Sequence, residues 1–370
     1  MAFKFNFTNE ELDLEDTEDN QQLESSLGDL SIETNEVNKI PSQQYDILSS
    51  PLPSVIQADI LQVPDVEKPI YKRTLADVKF QMAEQDSLIE DENNDKEVIN
   101  MLNLSGNTDL IRGVYEGGFK TWECSVDMVQ YLASLPTEQI SQKRVLELGC
   151  GSSLPSLYLL SPNLSNKVDV QDYNEQVIRF ITIPNILLNT VLTVQDPAAN
   201  TEPSESIEVE QEEESSDEED EDEEDDDEKR IEEDPVTCDA EAEIASERIP
   251  EMLGQVNART KAFFGDWSTL PERLNADHEK YDMIVTSETI YAEHALPDLI
   301  RVFQKALKKP DGVCYVAAKT VYFGVGGGIL PFCSLLAQTQ DKDGDKLKYE
   351  KVFESASTVK REILKVSWDM

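Results

Sequence analysis

Three short stretches of the sequence carry glycine and acidic residues that could bind a nucleotide-like ligand. The run RVLELGCG ends at Gly149 and Gly151, where the missing Cβ lets a ligand approach the backbone closely. Asp172 follows Gly151 by 21 residues and ends the next apolar run, where a carboxylate can accept both hydroxyls of a ribose. A third run ends at Gly265-Asp266-Trp267, where the acid can accept from an adenine amine and the indole supplies a flat apolar wall. Together the three runs predict a site for an adenosine-containing cofactor.

The residues around the first glycine favour one such cofactor. A dinucleotide site would continue as GxGxxG, but Leu154 stands where the third glycine is expected. Glu147, two positions before Gly149, instead fits the E-x-G-x-G pattern of S-adenosylmethionine-dependent methyltransferases, in which that carboxylate helps organise the turn and the methionine amine. We therefore expect S-adenosylmethionine as cofactor and S-adenosylhomocysteine as product. A nicotinamide dehydrogenase is a distant alternative.

The elements that must position these residues are read from the apolar runs. Five short runs read as strands: KRVLELGCG, KVDVQDYN, KAFFGDW, YDMIVTSE and GVCYVAAK. Helical patterns such as LPDLIRVFQKALKK separate several of them, which predicts βαβ units and a mostly parallel sheet covered on both faces. The last two runs, YEKVFESAS and KREILKVSW, predict an antiparallel hairpin at the end of that sheet.

Two acidic segments interrupt this rhythm. Residues 1–69 hold 15 acidic and 3 basic residues, so we expect a largely disordered N-terminal region. Residues 70–110 read as an accessory helical or linker segment, and 111–370 as the catalytic domain. Within that domain we expect a disordered acidic insertion at 197–245, because its centre, 207–234, carries 20 acidic and 2 basic residues that cannot pack into a core.

The composition bounds the partners and the compartment. A net charge of -44 disfavours direct contact with nucleic acid or an anionic membrane and favours a basic protein partner. Five scattered cysteines indicate a reducing compartment, and two histidines make a histidine-built metal site improbable. The N-terminus lacks a basic and apolar leader, and no apolar run reaches the length of a membrane span. We expect a monomer in the cytoplasm, with the nucleus left open.

The sequence resembles the histidine protein methyltransferases, a branch of the seven-strand methyltransferases. The motifs that carry this resemblance occur in the family's order: YEGGFKTWECSVDMVQYL, LELGCGSSLP, QDYNEQVIRFITIPN, GDW, TSETIY and AAKTVYFGVGGG. The resemblance spans about 112–370 apart from the insertion, and it implies a Rossmann-like α/β fold with a seven-stranded sheet and a C-terminal antiparallel hairpin. It also implies methyl transfer to a histidine of a large-subunit ribosomal protein, the one called L-three.

The resemblance further implies which residues line the cofactor site. They are Thr121, Trp122, Glu123, Cys124, Ser125, Glu147, Gly149, Gly151, Gln171, Asp172, Tyr173, Gly265, Asp266, Trp267 and Ser287. Two positions depart from the usual pattern. Ser152-Ser153 stands directly after the second motif glycine, where the family commonly has a pair of glycines or other small residues. Glu288 stands where lysine-directed relatives often carry the Asp of a D-x-x-Y motif.

A histidine acceptor needs less help from the protein than a lysine acceptor. A lysine with a pKa of about 10.4 must first lose a proton, whereas imidazole with a pKa of about 6.5 is already largely neutral at pH 7. The site then needs one group to hydrogen-bond the non-reacting ring nitrogen, and our candidates are Glu288, Asn174 and Tyr322. A lysine methyltransferase of the same fold and a non-catalytic acidic chaperone for a basic ribosomal protein are the alternatives.

Overall fold

The computed structural model describes residues 39–88, 117–195, 239–275, 278–322, 324 and 326–370. Its strands are β1 (Gln43–Tyr45), β2 (Val55–Leu61), β3 (Ile70–Arg73), β4 (Arg144–Leu148), β5 (Lys167–Asp172), β6 (Ala240–Glu243), β7 (Ala262–Phe264), β8 (Met283–Ser287), β9 (Val313–Lys319), β10 (Lys346–Glu354) and β11 (Arg361–Asp369). Eight of these strands form the central sheet, in the order β1-β7-β5-β4-β8-β9-β11-β10, and β3-β2-β6 form a small second sheet.

The central sheet confirms the predicted α/β architecture. Strands β7, β5, β4, β8 and β9 run parallel to their neighbours in this row. The final hairpin β10–β11 is antiparallel, and β11 also pairs antiparallel with β9. One feature differs from the predicted seven strands: β1 adds an eighth, antiparallel to β7 at the sheet edge.

Helices cover both faces of this sheet. They are α1 (Leu75–Leu88), α2 (Glu123–Ser134), α3 (Thr137–Ile140), α4 (Leu154–Leu159), α5 (Glu175–Val177), α6 (Ile183–Thr190), α7 (Ile249–Asn257), α8 (Leu270–Arg273), α9 (Leu296–Ala306) and α10 (Ile329–Gln338). A π-helical segment, Ile178–Thr182, joins α5 to α6. No helix in the described ranges is long and apolar enough to cross a lipid bilayer.

Alternation along each strand divides the apolar side chains between two cores. In β4, Val145 packs into the core that contains α2, α6 and α7, whereas Leu146 and Leu148 pack into the core that contains α9 and α10. Successive side chains of a strand point to opposite faces, so a fully apolar strand serves both cores. This two-sided burial fixes the strand ends, and with them the residues that follow each strand.

The prediction of disorder over 1–69 is wrong for residues 39–69. Tyr45 and Ile47 are buried, β1 pairs with β7, and β2 pairs with both β3 and β6. The acidic composition of the whole segment hid these short apolar runs, which bury themselves against the body of the protein rather than forming a core of their own. Residues 1–38 lie outside the described part of the chain.

The predicted bounds of the acidic insertion also need correction. Residues 240–243 form β6, so the predicted end at 245 is too late, while 196–238 lie outside the described residues. Just before and after that gap, Gln195 and Glu241 exchange two backbone hydrogen bonds of 2.8 and 3.0 Å. The two ends of the insertion are therefore held against each other.

Side chains on α6 close one edge of the small sheet. Asn189 accepts from the N–H of Tyr71 at 3.0 Å and donates to its carbonyl at 2.7 Å, and Asn185 accepts from the N–H of Arg73 at 2.8 Å. The two asparagines lie four residues apart on one helix face, so they hydrogen-bond the free backbone groups of β3 as a neighbouring strand would. The small sheet is fastened to the helix that follows the cofactor edge.

Candidate active site

All the predicted site residues lie near the carboxyl ends of the parallel strands or at the start of α2. Ligands of open α/β sheets bind at this edge, outside the strand ends. The turn after β4 is built around Gly149 and Gly151, whose φ angles of +59° and +48° lie in the left-handed region that favours glycine. A Cβ on Gly149 would lie 2.5 Å from Thr289 Cγ2, and one on Gly151 would lie 3.1 Å from the carbonyl oxygen of Gly118. Both positions therefore require glycine.

Glu147 organises this turn from inside the protein. It is 1% exposed, and its Oε2 accepts from the backbone N–H of Ser156 at 3.0 Å and from the Ser156 hydroxyl. Burial raises the pKa of Glu147 to about 8 even though the Ser156 hydrogen bonds act in the opposite direction. The carboxyl group faces Ser156 of α4 and is almost completely covered, so it organises the turn from within, and its expected effect on the methionine amine stays a prediction.

Asp172 is held in place at the end of β5. Its Oδ2 accepts from the N–H of Gly151 at 2.9 Å, and its Oδ1 accepts from the N–H of Asn174 at 3.2 Å. The first bond joins the end of β5 directly to the glycine turn after β4. A carboxylate that is fixed in this way is ready to accept the hydroxyls of a ribose.

Gln171 connects the same turn to the end of β7. Its Oε1 accepts from the Trp267 indole at 2.8 Å and lies 3.4 Å from the N–H of Gly149, while its Nε2 donates to the Gly265 carbonyl at 2.9 Å. These bonds orient the half-buried indole of Trp267. Tyr173, also half-buried, follows Asp172 at this edge.

Asp266 has a neighbour that the sequence did not predict. Its Oδ1 accepts from the N–H of Ser268 at 2.9 Å and forms an ion pair with Lys39 Nζ at 3.3 Å. Lys39 also pairs with Asp298 at 2.9 Å. Asp266, the expected hydrogen-bond acceptor for an adenine amine, is therefore also ion-paired with a lysine from the segment before β1.

The start of α2 closes the edge from the other side. The Thr121 hydroxyl donates to Ser152 Oγ at 3.0 Å, the Trp122 indole donates to the Gly117 carbonyl at 3.2 Å, and the Ser125 hydroxyl donates to the Trp122 carbonyl at 2.6 Å. Ser152 is the first residue of the Ser152-Ser153 pair that differs from the family pattern, and it is this serine that accepts the hydrogen bond from Thr121. The departure from glycine therefore supplies a contact that glycine would lack.

Cys150 serves as a buried filler. Burial raises the pKa of its thiol well above the usual range, and the sulfur lies 3.5 Å from Thr182 Oγ1. A thiol kept protonated in this way is a poor nucleophile.

A second group of polar side chains lies at the ends of β8 and β9. Tyr322 donates to Glu288 Oε2 at 2.5 Å, and Lys319 Nζ lies 3.6 Å from Glu288 Oε1. Burial, followed by the Glu288 charge, raises the pKa of Tyr322, so the phenol keeps its proton. Glu288 follows Ser287, is 8% exposed and has a φ of 58°, which turns the chain out of β8. Within the described residues, its Oε1 receives no hydrogen bond.

The three candidates for orienting the acceptor are therefore separated. Glu288 and Tyr322 lie in contact with each other, whereas Asn174 is buried beside Asp172 at the end of β5. Asn174 thus belongs to the cofactor side of the edge. We call the group formed by the other two the acceptor side, after the role that the sequence analysis predicts for it.

The glycines after Tyr322 hold the acceptor-side loop. Gly327 and Gly328 donate to the carbonyls of Tyr291 and Ile290 at 2.9 and 2.8 Å, and a Cβ on Gly327 would lie 2.2 Å from the Tyr291 carbonyl oxygen. The Tyr291 and Tyr322 rings meet edge to face, 6.3 Å apart. The loop after β9 is thereby fastened to the loop after β8.

Sequence reasoning missed Lys319 and Lys39. Lys319 ends β9, and its place at a strand end is the signal that could have found it. Lys39 lies 227 residues from Asp266, so no local pattern marks their contact. Thr289, which packs against Gly149, was likewise not predicted.

These residues fit S-adenosylmethionine. The two left-handed glycines form a turn without side chains, Asp172 is fixed beside them, and the Trp267 indole is oriented by Gln171. A sulfonium cofactor with an adenosine moiety needs these three features. We found no metal-binding group of three or more His, Cys, Asp or Glu side chains among the described residues.

Comparisons with known proteins point to one family. No family model matches the chain. The chain is 32% identical over 306 residues to "Histidine protein methyltransferase 1" of Schizosaccharomyces pombe, with 80% of this chain and 76% of the relative covered. It is 28% identical to the Saccharomyces cerevisiae protein of the same name, with 98% of each covered. It is 35% identical to the Dictyostelium discoideum homolog, with 63% of this chain and 53% of the relative covered.

Solved structures resemble the chain only loosely. Precorrin-6y C5,15-methyltransferase from Geobacter metallireducens has a TM-score of 0.29 at 12% identity, with 66% of this chain and 87% of that chain covered. The fibrillarin/Nop5p complex gives a TM-score of 0.34 at 12% identity, with 71% and 91% covered. Both scores are low, and neither likeness bears on the function. By the extent of its match to the fission-yeast relative, the chain belongs to the histidine protein methyltransferase family, whose members transfer a methyl group from S-adenosylmethionine to histidine in a protein.

Proposed function

We propose that this enzyme methylates one histidine of a large-subunit ribosomal protein of the L-three type. The sequence resemblance implies this substrate, and the charge of the enzyme suits it. Ribosomal proteins are strongly basic, and an enzyme with a net charge of -44 attracts such a partner over long distances.

The observation that carries the chemistry is the buried carboxylate of Glu288. One of its oxygens is already fixed by the Tyr322 hydroxyl at 2.5 Å; the other, Oε1, lies 3.6 Å from Lys319 Nζ and receives no hydrogen bond within the described residues. Buried polar atoms are rarely left in that state. An N–H of the substrate imidazole could donate the hydrogen bond that this oxygen lacks.

The roles of the residues follow from the needs of an imidazole nucleophile. S-adenosylmethionine, when bound, supplies an electrophilic methyl group. The reacting ring nitrogen must present its lone pair, so the other nitrogen must carry the proton. We assign that N–H to Glu288 Oε1, which would fix the tautomer and stabilise the positive charge that the ring gains when its new N–C bond replaces the methyl C–S bond of the cofactor. The methylated ring would then give up its N–H proton to Glu288 and from there to solvent. Family resemblance favours the nitrogen remote from the backbone as the one methylated.

The remaining residues orient and enclose the reactants. Tyr322 holds Glu288, and the rings of Tyr322 and Tyr291 exclude water from the acceptor side. The reaction is an in-line displacement, so positioning supplies most of its acceleration. Imidazole is largely neutral at pH 7, and the site needs no strong base.

Acceptor mapping tests this proposal. Purified L-three protein is incubated with the enzyme and S-adenosylmethionine, digested and sequenced by mass spectrometry. We expect one methylated histidine, which is absent when the enzyme carries Asp172→Ala. Methylation of a different protein in a heat-treated cell lysate, with L-three unmodified, would contradict the substrate assignment.

A further inference from the structure

Lys319 brings its own ammonium group to the acceptor side of the site. Its Nζ lies 3.6 Å from Glu288 Oε1, 3.3 Å from Glu123 Oε2 and 5.0 Å from the centre of the Trp122 ring. The Lys319 side chain is only 20% exposed. Three different elements, α2, the loop after β8 and the end of β9, thus meet around one cation.

The partners of Lys319 are the partners that any alkylammonium group would seek. Two carboxylates supply opposite charges in ion-pair contact, and an aromatic face attracts a cation through its quadrupole. Burial alone would lower the pKa of Lys319, but the Glu288 and Glu123 charges raise it, so the ammonium stays protonated at neutral pH. Glu123, Glu288 and the Trp122 ring thus form an ammonium site, and Lys319 of the enzyme itself occupies it.

The other charged groups around this site do not alter that balance. Arg361, at the start of β11, forms a two-pronged ion pair with Asp127 of α2 at 2.5 and 3.1 Å, so the two charges offset each other. Burial raises the pKa of the Cys124 thiol, and the Glu288 charge raises it further, which leaves the sulfur neutral. Without Lys319, Glu288 and Glu123 would lose the ammonium group that lies close to both of them.

We infer that Lys319 determines acceptor specificity: by occupying the ammonium site, it excludes lysine and leaves room for a neutral imidazole. A lysine of the substrate would arrive as a cation and meet a fixed cation of the same kind. Histidine arrives largely neutral at pH 7 and donates only an N–H. This inference rests on the proposed placement of the acceptor at Glu288, and it does not depend on the identity of the substrate protein.

Two variants with unbranched aliphatic stems separate charge from packing. Lys319→Met keeps an unbranched side chain and removes the cation, whereas Lys319→Arg keeps the cation. Each full-length protein is incubated at pH 9 with heat-treated cell lysate and S-adenosylmethionine that carries a tritiated methyl group. At pH 9, about 4% of an ordinary lysine is neutral. The labelled proteins are hydrolysed, and methylhistidine and methyllysine are counted, with a no-enzyme reaction as background.

The methyllysine count is the deciding quantity. We expect only methylhistidine to rise above the no-enzyme background in the wild type and in Lys319→Arg, and we expect Lys319→Met to give a methyllysine count at least tenfold above that background. If Lys319→Met binds S-adenosylhomocysteine like the wild type but its methyllysine count does not rise, or if it produces no methylated residue at all, Lys319 does not exclude lysine. Methylhistidine in a protein other than L-three would overturn the proposed substrate and leave this inference intact.

Discussion

The Tyr322 hydroxyl holds Glu288 through a 2.5 Å hydrogen bond that joins the loop after β9 to the loop after β8. The bond fixes one carboxylate oxygen and leaves the other, Oε1, directed at the acceptor side. A tyrosine and a glutamate 34 residues apart thereby act as one unit.

Changing either member of this pair should slow methyl transfer without weakening the binding of S-adenosylmethionine. For Glu288→Gln we expect kcat to fall by about 100-fold, in the range of lost acid–base or charge-assisted contacts. For Tyr322→Phe we expect about a tenfold fall, since one hydrogen bond to a charged group is lost. Single-turnover rates and calorimetric Kd values for S-adenosylmethionine provide the measurement. Intact turnover after alanine substitution of Glu288, Tyr322 and Asn174 together would disprove their assigned role.

Asp172 should govern cofactor affinity. Asp172→Asn keeps the shape of the side chain but loses the charge that the Gly151 N–H and the ribose hydroxyls require. We expect the Kd of S-adenosylmethionine to rise by about 10- to 100-fold, as for a lost charge-assisted hydrogen bond of about 1.5–3 kcal/mol. The exposed Glu138→Gln variant is the charge-matched control, and equal affinities in the two variants would contradict the assignment.

Glu147 should make stability depend on pH in an unusual direction. The unfolded chain has a glutamate pKa of about 4.3, whereas the pKa of buried Glu147 is about 8, so between these values the folded state holds a proton that the unfolded state releases. Stability from this group is therefore lost as pH rises from about 4.3 to 8, by up to about 1.4 kcal/mol per pH unit. Glu147→Gln carries no titrating proton, so its Tm advantage over the wild type should widen across this range. Parallel Tm curves from pH 5 to 9 would show that Glu147 is ionised when buried.

The segment before β2 should contribute to stability. Removing residues 1–38 leaves every described contact in place, and we expect the Tm to stay the same. Removing residues 1–50 also deletes β1 and exposes the partners of Tyr45 and Ile47, at a cost of about 1.5–3 kcal/mol for each buried side chain. Chemical denaturation of the two truncated proteins measures the difference, and equal midpoints would show that β1 is dispensable.

The acidic insertion should speed the encounter with a basic substrate. Deleting residues 207–234 removes a net charge of -18 and should slow association and flatten its dependence on salt. Stopped-flow rates between about 50 and 300 mM salt test this, and replacement by a neutral Gly/Ser linker of equal length controls for chain length. Identical rates across the salt series would make the insertion a passive loop.

Local patterns in the sequence could predict most of the sheet. Apolar runs such as RVLEL and MIVTS are buried on both faces, and the residues that follow them, Gly149 and Glu288, necessarily reach the ligand edge. The pairing of β1 with β7 could not be foreseen, because three residues of strand carry too little pattern. The same holds for Lys39 beside Asp266, where contact depends on the whole fold.

Which side chain meets which ligand was harder to predict than where the strand ends lie. Glu147 lies in the expected motif, yet its side chain points into the protein, because the N–H and hydroxyl of Ser156 donate hydrogen bonds to it there. Lys319 has no motif of its own, and its role appears only when α2 brings Glu123 and Trp122 against the end of β9. Motifs mark positions, whereas charge partners come from tertiary structure.

The paired hydrogen bonds between Gln195 and Glu241 place the start and the end of the insertion side by side on the body of the protein. Its exit and return coincide, so a change in its length leaves the spacing of the strands untouched. The entropy of closing a flexible loop grows slowly, by about 0.6 kcal/mol for each doubling of length. A reporter domain grafted between these two residues should therefore leave catalysis unharmed.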